Sequence, residues 1–163
     1  MASSIEELRV TMESTVTHFL DSPAQALAAQ DSSLYLATLT EECTHYLRPL
    51  QSVASNPLLK AVKSNEEYKA LMESALPTIE DTRVEIKEFV IDPLKQKASV
   101  LAEHCTKIVS VEANIMEITW FLDFTEDGNR ISRVVEFIDT AIATKRIVNM
   151  KKHGFSKDEG SGQ

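Results

Sequence analysis

The sequence predicts an α+β fold, and three observations predict it. Apolar residues recur with a period of 3.6 in the N-terminal third. They alternate with a period of 2 from residue 83 to residue 139. Asp127-Gly128 then separates two β-branched and aromatic runs, a strong short-range hairpin signal. Helices followed by consecutive strands argue for helices packed on one face of a curved antiparallel sheet. Such a sheet, closed at one end, makes a cone around a central cavity suited to a small molecule.

Each element follows from local signals. Ser4-Ile-Glu-Glu7 reads as a capping box opening a helix over residues 4–20, with Ile5, Leu8, Met12, Val16 and Phe19 on one face. Asp21-Ser-Pro23 is expected to break it, and Pro23 to open a short Ala-rich helix to Gln30. Asp31 is expected to cap a further helical segment reaching Glu42. Cys43 to Leu47 has strand character and ends at Arg48-Pro49, and residues 50–63 read as loop. Ser64-Asn-Glu-Glu67 is a second capping box, opening a helix that Pro77 stops. Strands follow over 83–90, 97–109, 115–124 and 131–139, then a closing helix over 140–150. We expect one domain over residues 1–150 and a disordered tail over 151–163, rich in Gly, Ser and charge.

Composition narrows the function classes. The 163-residue chain carries a net charge of −8, which repels phosphate backbones and anionic membrane surfaces. No nucleic acid and no membrane is therefore expected as a partner. The N-terminus has neither a basic region nor an apolar run, and no apolar segment approaches the roughly 18 residues a bilayer span needs. A cytoplasmic protein is expected, with Cys43 and Cys105 as free, buried thiols. The sequence has no Gly-rich phosphate loop and no GxSxG, HExxH or CxxC motif. No cofactor and no metal site is expected.

Two stretches carry a resemblance. Cys43-Thr-His-Tyr-Leu-Arg-Pro49 resembles the "Cys-Thr-His … Pro" start of the small SnoaL-like proteins of fungal secondary metabolism, a branch of the NTF2-like superfamily. Asp127-Gly128 and Ile131-Ser-Arg-Val-Val-Glu-Phe-Ile-Asp139, followed by Ala-Thr-Lys, resemble their ending. The likeness spans residues 5–150 and implies the NTF2-like cone. It also implies a cofactor-free isomerase, cyclase, dehydratase or semipinacolase acting on a hydrophobic polyketide, meroterpenoid or indole-alkaloid intermediate. In such proteins an arginine or histidine near the first strand works with a carboxylate on the last. The matching residues are His45, Arg48, Glu136 and Asp139. The paired tyrosines and two histidines of scytalone dehydratase, a relative in fold, are not matched.

The residues themselves leave alternatives. Glu136 shares a strand face with Val134 and Ile138. It is either a desolvated acid–base group or a structurally paired carboxylate. Asp139 is either the cap of the closing helix or a catalytic carboxylate. His45 is a proton carrier or a hydrogen-bonded core histidine. Arg48 is an oxyanion stabiliser or a surface ion-pair partner. His104 faces a ligand or a packed helix, beside Ala98, Val100 and Ala102. Glu88, grouped with Val84, Ile86 and Val90, is a further candidate. Tyr68, Met72, Trp120 and Phe124 are expected as cavity wall or core. The alternative to an enzyme is a non-catalytic ligand-binding or association module. The exposed sheet face suits a homodimer.

Overall fold

The structure is a computed structural model that describes residues 2–155. Four helices (α1 Ala2–Ala29, α2 Leu50–Ala54, α3 Asn65–Ala75 and α4 Thr140–Lys151) accompany six strands. The strands are β1 Leu39–Arg48, β2 Val62–Lys63, β3 Ile79–Asp92, β4 Lys97–Ile108, β5 Asn114–Phe124 and β6 Ile131–Ile138. They form one sheet in the order β2-β1-β6-β5-β4-β3. All neighbours are antiparallel except β1 and β6, which run parallel, so the sheet is mixed. Among the described residues, no helix is long and apolar enough to cross a membrane.

The largest departure from expectation is α1, a single helix that runs through Pro23. A proline inside a helix leaves the carbonyl four residues back without its amide donor. Here the Ser22 hydroxyl donates to that carbonyl, Phe19 O, at 2.7 Å, so the break expected at Asp21-Ser-Pro23 does not occur. Ser4, expected to open the helix, lies inside it, because α1 begins at Ala2. After Asp31, which accepts from Ser33 N, the helical segment ends at Leu36 as a single 3₁₀ turn. Residues expected to be helical up to Glu42 instead begin β1. The stretch 50–63 is not all loop, since it holds α2 and β2. The second capping box forms as expected, with Ser64 and Glu67 each bonding the other's backbone. Of the tail, Lys151 ends α4 and Phe155 is 5% exposed. The rest of the tail, residues 156–163, lies outside the described residues.

Strand parity gives the sheet two unlike faces. The inner face carries Ala98, Val100 and Ala102 of β4, Ile118, Trp120 and Leu122 of β5, and Val134 and Ile138 of β6, all buried. Met12, Val16, Phe19 and Leu20 of α1 pack on it, and Phe19 meets Trp120 edge to face at 5.1 Å. The β5–β6 connection docks on the same helix. Gly128 has φ +72°, and a Cβ there would stand 2.8 Å from Met12 Cγ and 2.9 Å from Leu8 Cδ1. The Thr15 hydroxyl donates to Gly128 O at 2.8 Å. A second small cluster, Ala26, Tyr35, Tyr68 and Leu76, joins the C-terminal end of α1 to α3.

Candidate active site

Glu136 stands on the inner face, with Leu47 of β1 and Trp120 of β5 as its Cα partners. Among the described residues its carboxyl has neither a hydrogen bond nor an ion pair. Burial raises its pKa above the ordinary 4.5, and the charges of Lys63 and Arg146 pull it partly back. The residue keeps some accessible surface although protein surrounds its carboxyl.

On the adjoining strand, His45 is 5% exposed and stacks on Tyr68 of α3, with centroids 4.2 Å apart and planes at 18°. Its Nε2 lies 2.9 Å from Asn65 Oδ1. Asn65 Nδ2 donates to the carbonyls of Thr40 and Glu41, which makes Oδ1 the acceptor and places the His45 hydrogen on Nε2. Burial, and secondarily Lys63, lower the His45 pKa, so the ring is neutral at pH 7 with its lone pair on Nδ1. Burial and the nearby Glu136 raise the pKa of the Tyr68 phenol well above 10, so it remains a proton donor.

The second inner histidine has the opposite tautomer. Trp120 Nε1 donates to His104 Nε2 at 3.2 Å, which leaves the hydrogen on Nδ1. Burial, then the charge of Arg146, bring the His104 pKa down to about 4. Arg146 comes from α4 and is 8% exposed. Its Nε donates to Asn114 Oδ1 at 2.6 Å, and its Nη2 donates to His104 O at 2.7 Å and Asn114 O at 3.0 Å. Burial lowers the Arg146 pKa to about 10, which leaves it charged at neutrality.

The site therefore gathers Glu136, His45, Tyr68, His104 and Trp120 on one face, together with two cations not expected there. Arg146 shares a helix face with Ala143 and Asn149, and its three-residue spacing from them was a readable signal. Lys63 belongs to the stretch read as loop, where no periodicity marked it.

Other expected members stand elsewhere. Arg48 lies on the outer face, opposite Phe137, with its guanidinium 5.5 Å from the Tyr46 ring centroid. It stands three positions from His45, an odd offset, so one strand cannot aim both inward. Glu88 is exposed on the outer face because the register shifts between Ile86 and Glu88, which breaks its grouping with Val84 and Ile86. Asp139 accepts from Ala141 N and Ile142 N as the cap of α4. Met72 is half-buried beside Tyr68 in the second cluster. Burial pushes the Cys43 thiol up to about 12, which leaves it a thiol at neutral pH. Cys105 stands on the outer face. Among the described residues, no three His, Cys, Asp or Glu side chains gather to hold a metal ion.

A recess of about 450 Å³ opens on the outer face, floored by Val90, Phe121 and Val135 and edged by Lys97, Asp123 and Arg133. Its carboxylate Asp123 is already paired with Lys97 at 2.6 Å and Arg133 at 3.5 Å. The reactive group without a partner is on the other face, and there we place the candidate active site.

The fold is shared with solved structures. No protein-family model matches the sequence. The structure is similar to that of PrhC from Penicillium brasilianum NBRC 6234, with a TM-score of 0.71, 17% identity, and coverage of 92% of this chain and 94% of that one. It is also similar to the BvnE pinacolase from Penicillium brevicompactum (TM-score 0.73, 15% identity, 90% and 94% coverage). An NTF2-like protein of unknown function from Burkholderia pseudomallei K96243 matches with a TM-score of 0.63 at 17% identity, over 84% of this chain and 97% of that one. The chain has the NTF2-like fold. In sequence it is 25% identical over 111 residues to the protein named monooxygenase AacuO from Aspergillus aculeatus (strain ATCC 16872 / CBS 172.66 / WB 5094). That match covers 68% of this chain and 65% of the relative, so the chain spans just under two thirds of the relative's length.

Proposed function

We propose that this chain is a cofactor-independent isomerase or cyclase acting by acid–base chemistry on a hydrophobic polycyclic intermediate of fungal natural-product biosynthesis. One observation carries the reading: among the described residues Glu136 is a carboxyl with no bonded partner on an apolar inner face, its pKa raised by burial. A group so placed removes a proton from a carbon acid or hydroxyl, and returns it at another atom once the bonds have moved. The neutral His45 and the Tyr68 phenol beside it supply a second proton acceptor and donor. The likeness to a pinacolase supports rearrangement within this class. The test incubates polyketide, meroterpenoid and indole-alkaloid intermediates with wild type and Glu136→Gln, followed by mass spectrometry. We expect a product of unchanged mass, or one lighter by a single water, formed at least about 100-fold more slowly by the variant. Equal turnover by both proteins removes Glu136 from this role.

A second reading is favoured by the name of the curated relative, a monooxygenase. The same carboxylate would turn an acidic CH₂ into a carbanion that dioxygen attacks. The hydroperoxide then loses water, so that CH₂ and O₂ become C=O and H₂O without an external reductant. Labelled dioxygen decides between the two: incorporation of one labelled oxygen supports oxygenation, and undiminished turnover in anaerobic buffer retires it.

We also infer a homodimer through the outer face. Val62, Tyr46, Val135, Phe121 and Val90 form one cross-strand row there, broken only by Ser99. Six strands spaced about 4.8 Å apart, with about nine residues each, present roughly 800 Å², the area one partner contributes to a standard interface. Light scattering on wild type and Phe121→Glu tests it. A dimer converted to a monomer is expected, and a wild-type monomer ends the proposal.

A further inference from the structure

Asn65 reads in the sequence only as a spacer inside the capping box Ser64-Asn-Glu-Glu67. In the fold it opens α3, and its side chain makes three hydrogen bonds to β1. Nδ2 donates to Thr40 O at 2.6 Å and to Glu41 O at 3.1 Å, and Oδ1 lies 2.9 Å from His45 Nε2. Neither Thr40 nor Glu41 has a β6 partner, because β1 bulges there. Its register jumps from Leu39 opposite Ile131 to Thr44 opposite Arg133, five positions on β1 against two on β6. Turning the Asn65 amide over would set its oxygen against two carbonyl oxygens, so its orientation is fixed. The other groups around the His45 ring leave its tautomer open. Tyr68 stacks on one face. Lys63 is its cross-strand neighbour on β2 and Val134 on β6, with Glu136 two residues further along β6. Cys43, two residues back on β1, stays a thiol. Among the described residues His45 Nδ1 has no hydrogen-bond partner. Asn65 also bears on basicity: burial lowers the His45 pKa most, the bond to Asn65 raises it, and the charge of Lys63 lowers it.

We propose that Asn65 is a positioning residue: it holds the His45 hydrogen on Nε2 and thereby makes Nδ1 the atom that takes up a proton. This rests on the reading of His45 as the second proton acceptor and names the group that gives it direction. A free imidazole exchanges its hydrogen between two nitrogens, whereas one fixed at Nε2 keeps its lone pair at a single place. An amide fixes the ring without adding charge. A carboxylate in its place would favour the imidazolium, which has no lone pair to offer.

The test is nitrogen NMR of the full chain with labelled histidine, followed across pH for wild type, Asn65→Leu and Asn65→Asp. The two tautomers give distinct ring-nitrogen shifts, and wild-type His45 is expected in the Nε2–H form. Both variants lose the two donations to β1, and only Asn65→Asp keeps an acceptor for His45. Asn65→Asp should therefore hold the tautomer and raise the His45 pKa by about one pH unit or more. Asn65→Leu should populate both tautomers and lower the pKa. A side chain that only braces the β1 bulge would be lost equally in both variants, so a His45 that responds alike to the two overturns the proposal. So does a wild type with the hydrogen on Nδ1 or divided between the nitrogens, a measurement that needs no variant. His45→Gln separates this proposal from its premise. If that variant turns over the intermediates at the wild-type rate, His45 carries no proton in the reaction, while the hold of Asn65 on the ring stands. If it is slowed, the pH profile of Asn65→Asp should move upward with the His45 pKa.

Discussion

Glu136 and Asp123 lie on neighbouring strands of one sheet, and their environments differ in every respect that matters to a carboxylate. Asp123 faces outward and is clasped by Lys97 and Arg133, both near half exposure. Glu136 faces inward, opposite Trp120, and nothing among the described residues bonds it. The outer face disposes of charge by pairing it in water, where a pair is worth little and costs little. The inner face buries one carboxyl without a bonded partner, offset only in part by the charges of Lys63 and Arg146.

Breaking the inner network at its cation should have the largest effect. Arg146→Met leaves the Asn114 side chain and the His104 and Asn114 carbonyls without their donor, and should cost about 3 kcal/mol or more in denaturant unfolding. Acid comes next. His104 titrates near 4 in the folded chain against an ordinary 6.5, so the unfolded chain holds the extra proton between those values. Stability is then lost as pH falls from 6.5 toward 4, by on the order of 3 kcal/mol. His104→Asn should flatten that slope. Glu136 has the opposite sign. Its folded pKa is raised, so its contribution is most favourable below 4.5 and declines as pH rises through the folded value. Glu136→Gln should therefore be more stable than wild type at pH 7 and no different at pH 4; equal stability at both would show the carboxyl to be solvated after all. The smallest change is expected on the outer face, where Asp123→Asn should alter stability by at most about 1 kcal/mol and fade further in salt.

The same contrast explains what could be read from the chain without its structure. The alternation that placed Val134, Glu136 and Ile138 together is local, and the fold preserved it. So are the capping box at Ser64 and the cap at Asp139. Arg48 was misassigned although its parity relative to His45 was legible, because the resemblance grouped the two residues without regard to strand faces. Glu88 was misread for a reason the sequence hides: the bulge after Ile86 shows only in pairing with β4. Lys63 enters the site through a two-residue strand, too short to leave a pattern. Pro23 gave a clear local stop signal, which the Ser22 hydroxyl overrode.

That substitution of a hydroxyl for an amide has a mechanical consequence. At about 1.5 Å per residue, the 28 residues of α1 make a rod of roughly 42 Å. Its first half grips the β5–β6 connection through Met12, Thr15 and Gly128, and its far end holds Ala26 against Tyr35 and Tyr68. Because the helix continues through Pro23, the tip of the hairpin that carries Glu136 and the tyrosine that stacks on His45 are held by one element.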